Sequence, residues 1–566
     1  MKCKVVKVGM ALATASLLSA CGTDGASELI RLSEARGATL GSCADLVTRF
    51  SFASTTIASS ETVASGTLTV GGQPVAEHCL VKGAMFKRTG TDGRDYAIGF
   101  EMRLPKDWSG RYYYQANGGL DGNASTAVGA LGGGPLTHAL AQGFAVISSD
   151  AGHTGAQTTA FGFEPLARLD YGYQAVGKLT PMAKNLIKTA YGKEPDRSYI
   201  GGCSNGGRHT MVAAARYADQ YDGFLAGAPG YNLPKAAVAN IWGSQQFAKI
   251  MTAGATVPNG AGTIPDLSTG FTAAERTMVA KKILDKCDAL DGIADGLVQD
   301  TASCQKTFNL ATDVPTCSAA RDGSCLTAAQ KTVVADSFAG AKTTAGAVIY
   351  NNFWFDPGVA GSGWALWKFV NSQALDPLAA GTIFRVPPAF IANSLTVSVD
   401  DLAAQIYATN ATFTEAGMTF MTPPNPTNLA TLKIRGAKMM VYHGVSDPIF
   451  SAADTGTWYD GLTTANGGDA SNFARFYRVP GMNHCSGGPT VDQFDMLTPL
   501  VNWVEKGVAP DSVVAAARGA GNAGGVNAEL PADWSATRTR PLCPSPKVAK
   551  YSGSGDKESA ANFSCQ

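Results

Sequence analysis

A candidate nucleophile lies in the pentapeptide Gly202-Cys203-Ser204-Asn205-Gly206, which has the pattern G-x-S-x-G. The short apolar run Tyr199-Ile200-Gly201 precedes it, and a helix-compatible stretch follows. This is the layout of a nucleophile elbow, in which a tight turn between a strand and a helix exposes the serine hydroxyl. Small flanking residues suit such a strained turn. The motif predicts that Ser204 is a nucleophile; the alternative is an ordinary Gly-rich turn, since the chain contains 65 glycines.

A serine hydrolase of this kind needs an acid and then a histidine downstream of the serine. The apolar segment from Lys438 to Tyr442 predicts a buried strand, and Asp447 follows shortly after it. A carboxylate just past a strand end is well placed to orient a histidine, so Asp447 is the predicted acid. The alternatives are an Asp-Pro turn at Asp447 and the carboxylates of Asp454 and Asp460, which lie less favourably relative to the strand.

The base must come from six histidines, at positions 78, 138, 153, 209, 443 and 484. His484 follows the predicted strand from Phe476 to Val479 and comes after the acid, so it is the predicted general base. Its alternative role is that of a hydrogen-bonded loop histidine. His443 also follows the serine but precedes the acid, so we expect a structural role or a place in the pocket wall.

Two cysteines flank the predicted catalytic pair, because Cys203 directly precedes Ser204 and Cys485 directly follows His484. If the serine and histidine side chains are in contact, these cysteines lie within the Cα separation of about 4.4–6.8 Å that a disulfide requires. Such a bond would join the two catalytic loops.

The elements that position these residues alternate between short strands and helices. Strands are predicted from Tyr96 to Leu104, from Arg111 to Gln115 and from Ala145 to Ser148. Between Tyr231 and about Arg435 this rhythm weakens and four cysteines cluster. The chain of 566 residues therefore predicts an α/β core with a large inserted lid.

Composition excludes some classes of function. The chain has 45 basic and 45 acidic residues, so nothing in its charge favours nucleic acid or a charged polymer as a partner. A hydrophobic fraction of 45% and a charged fraction of 16% are typical of a folded globular protein.

The N-terminal residues predict export. Lysines precede an apolar run from Val8 to Leu18, which is too short to span a bilayer and is typical of a signal peptide over residues 1–20. The run ends in Leu18-Ser19-Ala20-Cys21, which resembles a bacterial lipobox. We therefore expect a lipid anchor at Cys21 and a tether over residues 21–42, in a periplasmic or cell-surface lipoprotein. The alternative is an ordinary cleavage site and a secreted protein. No later segment is predicted to span a membrane.

Ten cysteines remain once Cys3 and Cys21 are set aside, an even number that suits an exported protein with disulfides. Sequence alone leaves their pairing open. No Cys-x-x-Cys or clustered Cys/His pattern indicates zinc.

The order Cys-Ser, Asp, His-Cys resembles the tannase and feruloyl esterase family, and the resemblance covers nearly the whole mature chain. It looks closest to the mono(2-hydroxyethyl) terephthalate hydrolase branch. The segments that carry it are Gly201 to Ser204, Gly227 to Tyr231, the acid loop, Val479 to Gly488 and Arg538 to Pro544.

The resemblance implies an α/β-hydrolase core formed by residues 43–230 and 436–566, a lid domain at 231–435, and hydrolysis of esters of aromatic acids without an organic cofactor. It also implies that the backbone N–H groups of Gly119 and Asn205 bind the oxyanion. Gly119 lies in a Gly-rich loop, and the alternative is a flexible loop of no catalytic consequence. With the cysteine spacings, it suggests the disulfides Cys43–Cys79, Cys203–Cys485, Cys287–Cys304, Cys317–Cys325 and Cys543–Cys565.

A glycine-punctuated loop in the lid carries three carboxylates, Asp288, Asp291 and Asp295. From the residues alone, a solvated acidic turn and a cation site are both open. The loop resembles the family's structural calcium site, which implies Ca²⁺ bound by the three aspartates and the backbone oxygens of Ile293 and Leu297.

Substrate choice is less determined by the sequence. The lid contains seven notable aromatic residues, most of which we expect in its core: Trp354, Phe355, Trp364, Trp367, Phe369, Phe384 and Phe390. Local similarity places Trp367 against the substrate ring. The chain departs from the terephthalate branch because no residue clearly matches its carboxylate-binding arginine, Arg385 lies in a different context, and Asn205 follows the nucleophile. Hydroxycinnamate or gallate esters are therefore as well supported as terephthalate monoesters.

The predicted reaction is a two-step acyl transfer by Ser204, His484 and Asp447 on a small aromatic ester. Two other classes stay open: a noncatalytic surface-anchored binding lipoprotein that keeps the hydrolase scaffold, and an amidase or peptidase.

Overall fold

The computed structural model describes residues 31–566, and its centre is a nine-stranded mixed sheet. In chain order the strands are β1 (Thr55–Val63), β2 (His78–Thr89), β3 (Asp95–Pro105), β4 (Arg111–Gln115), β5 (Ala145–Ser149), β6 (Arg197–Cys203), β7 (Gly223–Gly227), β8 (Lys438–Gly444) and β9 (Ala474–Val479). Their order across the sheet is β9-β8-β7-β6-β4-β5-β3-β2-β1. Strands β4 to β9 pair in parallel, whereas β1, β2 and β3 add in antiparallel fashion. The predicted α/β class is confirmed.

The parallel strands are apolar because both faces of the sheet are covered. Every residue of β5, β7 and β8 is buried. The longer helices are α1 (Ala175–Tyr191), α2 (Asn205–Arg216), α3 (Leu233–Ala248), α4 (Ala273–Cys287), α5 (Ala328–Ala339), α6 (Ala452–Ala465) and α7 (Leu497–Lys506). One amphipathic example is α7, which buries Leu500, Trp503 and Val504 beside β7 and β8.

Shorter elements complete the chain. The short α-helices are Leu46–Arg49, Pro165–Leu169, Thr301–Thr307, Leu310–Asp313, Ser362–Ala365, Ser372–Leu378, Val399–Gln405, Gly417–Met421 and Ala430–Ile434. The π-helical turns are Asp170–Gln174, Leu366–Asn371 and Ala379–Phe384. The 3₁₀ turns are Leu140–Gln142, Gly155–Gln157, Phe161–Phe163, Leu267–Gly270, Asp288–Asp291, Pro357–Ala360 and Ala560–Asn562. The minor strands are Ala38–Thr39, Thr69–Val70, Gln73–Pro74, Asp107–Trp108, Thr256–Asn259, Gly262–Pro265, Gln493–Phe494, Val513–Ala516, Thr539–Leu542, Ala549–Tyr551 and Phe563–Cys565.

The segment between β7 and β8 is a large insertion in the sheet. Its residues, all of them described, form helices and the hairpin of Thr256–Asn259 with Gly262–Pro265, and contribute no strand to the nine-stranded sheet. Part of the insertion has its own hydrophobic cluster, which includes Phe271, Trp364 and Phe369. The lid boundaries at 231 and 435, like the other domain limits, stay predictions.

Five disulfides cross-link the described chain. They join Cys43 to Cys79, Cys203 to Cys485, Cys287 to Cys304, Cys317 to Cys325 and Cys543 to Cys565. These are the pairs that the family resemblance implied. Because disulfides persist in oxidising compartments, they indicate an exported protein.

The predicted signal peptide and Cys21 lie outside the described residues. Among residues 31–566, no helix is both long enough and apolar enough to cross a membrane.

Candidate active site

Ser204 occupies the sharp turn between β6 and α2. Its backbone has φ 66° and ψ −126°, a strained conformation for a residue with a side chain. Gly202 and Gly206 allow this turn, because a Cβ atom at either position would lie 2.2 Å from the carbonyl oxygen of Ala116. The local sequence forms a nucleophile elbow because only glycine fits two positions before and two positions after the serine.

The structure brings the three predicted catalytic residues together from three separate loops. His484 Nε2 lies 2.8 Å from Ser204 Oγ, and His484 Nδ1 lies 2.7 Å from Asp447 Oδ2. The His484 loop follows β9 and the Asp447 loop follows β8, so the parallel strands deliver both side chains to the edge of the sheet that carries Ser204. The chain can therefore pass a proton from the serine to an oriented imidazole.

Asp447 is buried and accepts hydrogen bonds on both oxygens. The backbone N–H groups of Ile449 and Phe450 donate to Oδ1 at 3.0 Å each. Burial alone would raise the pKa of Asp447, but His484, His443 and the hydrogen bonds they donate hold it well below its usual range. The acid is thus an ionised acceptor that orients His484.

His443 is a second imidazole on the acid, which sequence reasoning did not assign to this contact. Its Nε2 lies 3.2 Å from Asp447 Oδ2 and 3.0 Å from the carbonyl oxygen of Phe450, and both of these are acceptors. Nε2 therefore carries the proton, and Nδ1 accepts from the Thr455 hydroxyl at 2.9 Å. The spacing His443-x-x-x-Asp447 across a strand end was the available signal, but only the loop conformation turns it into a contact.

The disulfide Cys203–Cys485 joins the residues next to Ser204 and His484. Its Cα atoms are 6.1 Å apart, and it closes a loop with a sequence separation of 282 residues. It ties the serine turn directly to the histidine loop.

The two predicted oxyanion donors belong to segments next to the serine. Asn205 is the first residue of α2, where the backbone N–H has no partner within the helix. Gly119 has φ 62°, and its neighbour Gly118 lies against Ser204, since a Cβ atom at Gly118 would be 3.7 Å from Ser204 Cβ. The side chain of Asn205 is buried away from this space, at 1% exposure.

Two aromatic side chains pack against His484. Trp367, in the π-helical turn Leu366–Asn371, has its ring 5.0 Å from the imidazole, and Phe450 has its ring 5.3 Å away, both edge to face. Trp367 is half-buried, whereas Trp364 and Phe369 lie in the lid core. Phe450 was not singled out from the sequence; its position three residues after the acid was the only available signal.

A cleft of about 380 Å³ opens beside Ser204. Its wall combines small and polar residues, such as Asn117, Ser125 and Ser486, with the apolar side chains of Val128 and Leu131. Arg385 donates its Nε–H to the carbonyl oxygen of Pro387 at 3.2 Å, so this contact occupies the guanidinium at least in part.

The aspartate loop of the lid has one feature that suits a cation. Asp291 Oδ2 is buried without a hydrogen-bond partner, and burial, with the charges of Asp295 and Asp288, raises the pKa of Asp291 to about 7. Asp295, however, is paired with Arg540, and Asp288 accepts from the N–H groups of Asp295 and Gly296. Within the described part of the chain, no group of three or more His, Cys, Asp or Glu side chains is arranged to hold a metal ion. The calcium site stays a prediction.

Comparison with known proteins decides the family. The family model described as tannase and feruloyl esterase matches residues 79–566. The chain belongs to this family. The mono(2-hydroxyethyl) terephthalate hydrolase of Piscinibacter sakaiensis is 39% identical over 535 residues, covering 88% of this chain and 86% of that protein. A probable feruloyl esterase B-1 of Neosartorya fischeri is 30% identical over 441 residues, covering 73% and 75% respectively.

Solved structures agree with the fold of this tannase-family chain. The crystal structure of feruloyl esterase B from Aspergillus oryzae superposes with a TM-score of 0.72 at 24% identity, covering 93% of this chain and 99% of that one. The fold predicted for this chain, an α/β hydrolase with a large insertion, is thereby confirmed. As a member of that family, the protein is a carboxylic ester hydrolase.

Proposed function

We propose that this protein hydrolyses esters of aromatic carboxylic acids through a Ser204-His484-Asp447 triad and an acyl-enzyme intermediate. The observation that carries the proposal is the chain of contacts of 2.8 Å and 2.7 Å from Ser204 through His484 to Asp447.

In the first step, Ser204 Oγ attacks the ester carbonyl carbon while His484 Nε2 takes the serine proton. The oxyanion accepts hydrogen bonds from the backbone N–H groups of Gly119 and Asn205, each worth about 2.7–4 kcal/mol of barrier by comparison with other oxyanion donors. The alcohol leaves with the proton from His484. Water then repeats the sequence on the acyl-enzyme and releases the acid. The side chains and backbone N–H groups named above are sufficient for this reaction, and no organic cofactor takes part.

The aromatic part of the substrate lies against Trp367 in this proposal. A half-buried indole beside the catalytic imidazole offers a flat surface that an aromatic acyl group can stack on. The relatives are a terephthalate monoester hydrolase and feruloyl esterases, so we propose terephthalate monoesters and feruloyl or galloyl esters as the candidate substrates.

The test is hydrolysis of methyl ferulate, methyl gallate, mono(2-hydroxyethyl) terephthalate and 4-nitrophenyl acetate by the wild type and by Ser204→Ala. We expect turnover of at least one aromatic ester that disappears in the variant, together with labelling of Ser204 by a fluorophosphonate. Equal inactivity of both proteins and no labelling would favour a noncatalytic binding lipoprotein. Faster turnover of the matching anilides than of the esters would favour an amidase.

We further propose a structural Ca²⁺ in the lid, bound by Asp288, Asp291, Asp295 and the backbone oxygens of Ile293 and Leu297. The buried, unpartnered Asp291 Oδ2 supports this assignment, because a hard cation would satisfy it. The disulfide Cys287–Cys304 encloses the loop, which suits a stabilising role.

We also propose that the protein is an exported lipoprotein anchored through Cys21. Five disulfides support export. Mass spectrometry of the mature N-terminus tests the anchor: a diacylated or triacylated Cys21 is expected, and an unmodified N-terminus would refute it.

A further inference from the structure

The side chain of Asn205 does not face the cleft that its backbone N–H serves. Its Nδ2 donates to Asp121 Oδ1 at 2.6 Å, and its Oδ1 accepts from Arg208 Nε at 2.6 Å. All three side chains are almost fully buried. The amide therefore bridges an aspartate and an arginine that are otherwise held apart.

Asp121 belongs to the other half of the proposed oxyanion site. It lies two residues after Gly119, and its backbone N–H donates to the carbonyl oxygen of Gly118 at 3.2 Å, which closes the turn that contains Gly119. Its second oxygen lies 3.4 Å from His209 Nε2. The Gly119 loop is thus bound to the start of α2 through the side chains of Asp121 and Asn205.

Arg208 extends the same network to the backbone of Tyr171 and Gly172. Its Nη1 and Nη2 donate to the carbonyl oxygens of Gly172 and Tyr171, at 2.7 and 3.0 Å. The Tyr171 hydroxyl in turn donates to the carbonyl oxygen of Gly119 at 3.2 Å. Asn205 thus reaches the Gly119 loop through Asp121, and Arg208 reaches it through Tyr171.

Burial makes these contacts costly to lose. A charged or polar group left without a partner in a buried site loses both its hydration and its hydrogen bond. Substitution of Asn205 would leave Asp121 and Arg208 each without one partner. The loop and the helix would then shift to recover those bonds.

We propose that the Asn205 side chain is a positioning residue that, with Asp121 and Arg208, sets the separation of the Gly119 and Asn205 N–H groups. This inference rests on the proposed function of those two groups. Because the donors act on the tetrahedral intermediate, their misplacement lowers kcat more than it changes KM. A displacement of about 1 Å in such a site costs up to about 100-fold in rate.

The experiment exchanges the side chains of Asn205 and Asp121. Asn205→Asp alone places a second carboxylate against Asp121, and we expect kcat on the best ester of the panel to fall by about 10–100-fold with KM nearly unchanged. The double variant Asp121→Asn/Asn205→Asp restores the two hydrogen bonds described above, because the new amide donates to the new carboxylate, which still accepts from Arg208. We expect its kcat to return to within about threefold of the wild type. Asn309→Asp, at an exposed helix cap of the lid, makes the same chemical change far from this network and serves as the control.

The outcomes separate the inference from the proposed function. Wild-type turnover that depends on Ser204, with an unchanged kcat in Asn205→Asp, would overturn the positioning role and leave the triad in place. No rescue in the double variant, or its failure to fold, would also overturn it, since the exchange preserves each proposed hydrogen bond. Inactivity of the wild type itself would count against the proposed function instead. If Asn205→Asp does not fold but the folded double variant is active, the result supports the coupling.

Discussion

Removal of the disulfide beside the catalytic residues is expected to weaken both stability and activity. Cys203–Cys485 closes a loop with a sequence separation of 282 residues, whereas Cys317–Cys325 in the lid closes one of 8 residues. Loop-closure entropy then assigns about 5.6 kcal/mol to the first bond and about 2.5 kcal/mol to the second, both as upper values. Native-state strain and residual structure in the unfolded chain reduce such figures. We therefore expect Cys203→Ala/Cys485→Ala to lose about 1–3 kcal/mol more than Cys317→Ala/Cys325→Ala.

The assay is urea unfolding followed by tryptophan fluorescence, with kcat measured on the same preparations. The lid variant is the matched control, because it also lacks one disulfide and leaves no unpaired thiol. We expect kcat to fall about tenfold only in Cys203→Ala/Cys485→Ala, because of these two disulfides only Cys203–Cys485 ties the Ser204 turn to the His484 loop. Equal unfolding midpoints for the two double variants, with wild-type kcat in both, would refute this reasoning.

Three further outcomes follow from the site. His443→Ala removes a hydrogen bond to buried Asp447, so kcat should fall about tenfold while KM is kept, and a rate equal to the wild type would show that His443 does not orient the acid. Trp367→Ala should lower kcat/KM for methyl ferulate about tenfold but leave 4-nitrophenyl acetate nearly unchanged; equal losses on both esters would indicate a role in folding rather than in binding the ring. EGTA should lower the melting temperature of the wild type but not that of Asp291→Asn, as measured by differential scanning fluorimetry, and no effect on the wild type would exclude the calcium site.

The class of this protein and its candidate catalytic residues could be predicted from the amino-acid sequence. The elbow around Ser204 depends on glycines at positions 202 and 206, and that local requirement can be seen in the chain. Strands β8 and β9 were visible as apolar runs, so the loops of Asp447 and His484 could be placed at strand ends. The expected order of serine, acid and histidine along the chain then selected Asp447 and His484. Family resemblance added the disulfide pairs, which spacing alone leaves open.

The side chains that surround those residues could be identified only in the folded chain. The contact of His443 with Asp447 depends on the conformation of the loop after β8. The contact of Asn205 with Asp121 depends on how the loop after β4 packs on the start of α2. No periodicity in the sequence encodes such contacts, because they depend on the conformation of individual loops and, for Asn205 and Asp121, on partners that lie far apart in the chain. The residue after the nucleophile illustrates the difference. Its residue type, Asn205, indicated a departure in substrate preference, whereas the structure shows a buried amide that contacts Asp121 and Arg208.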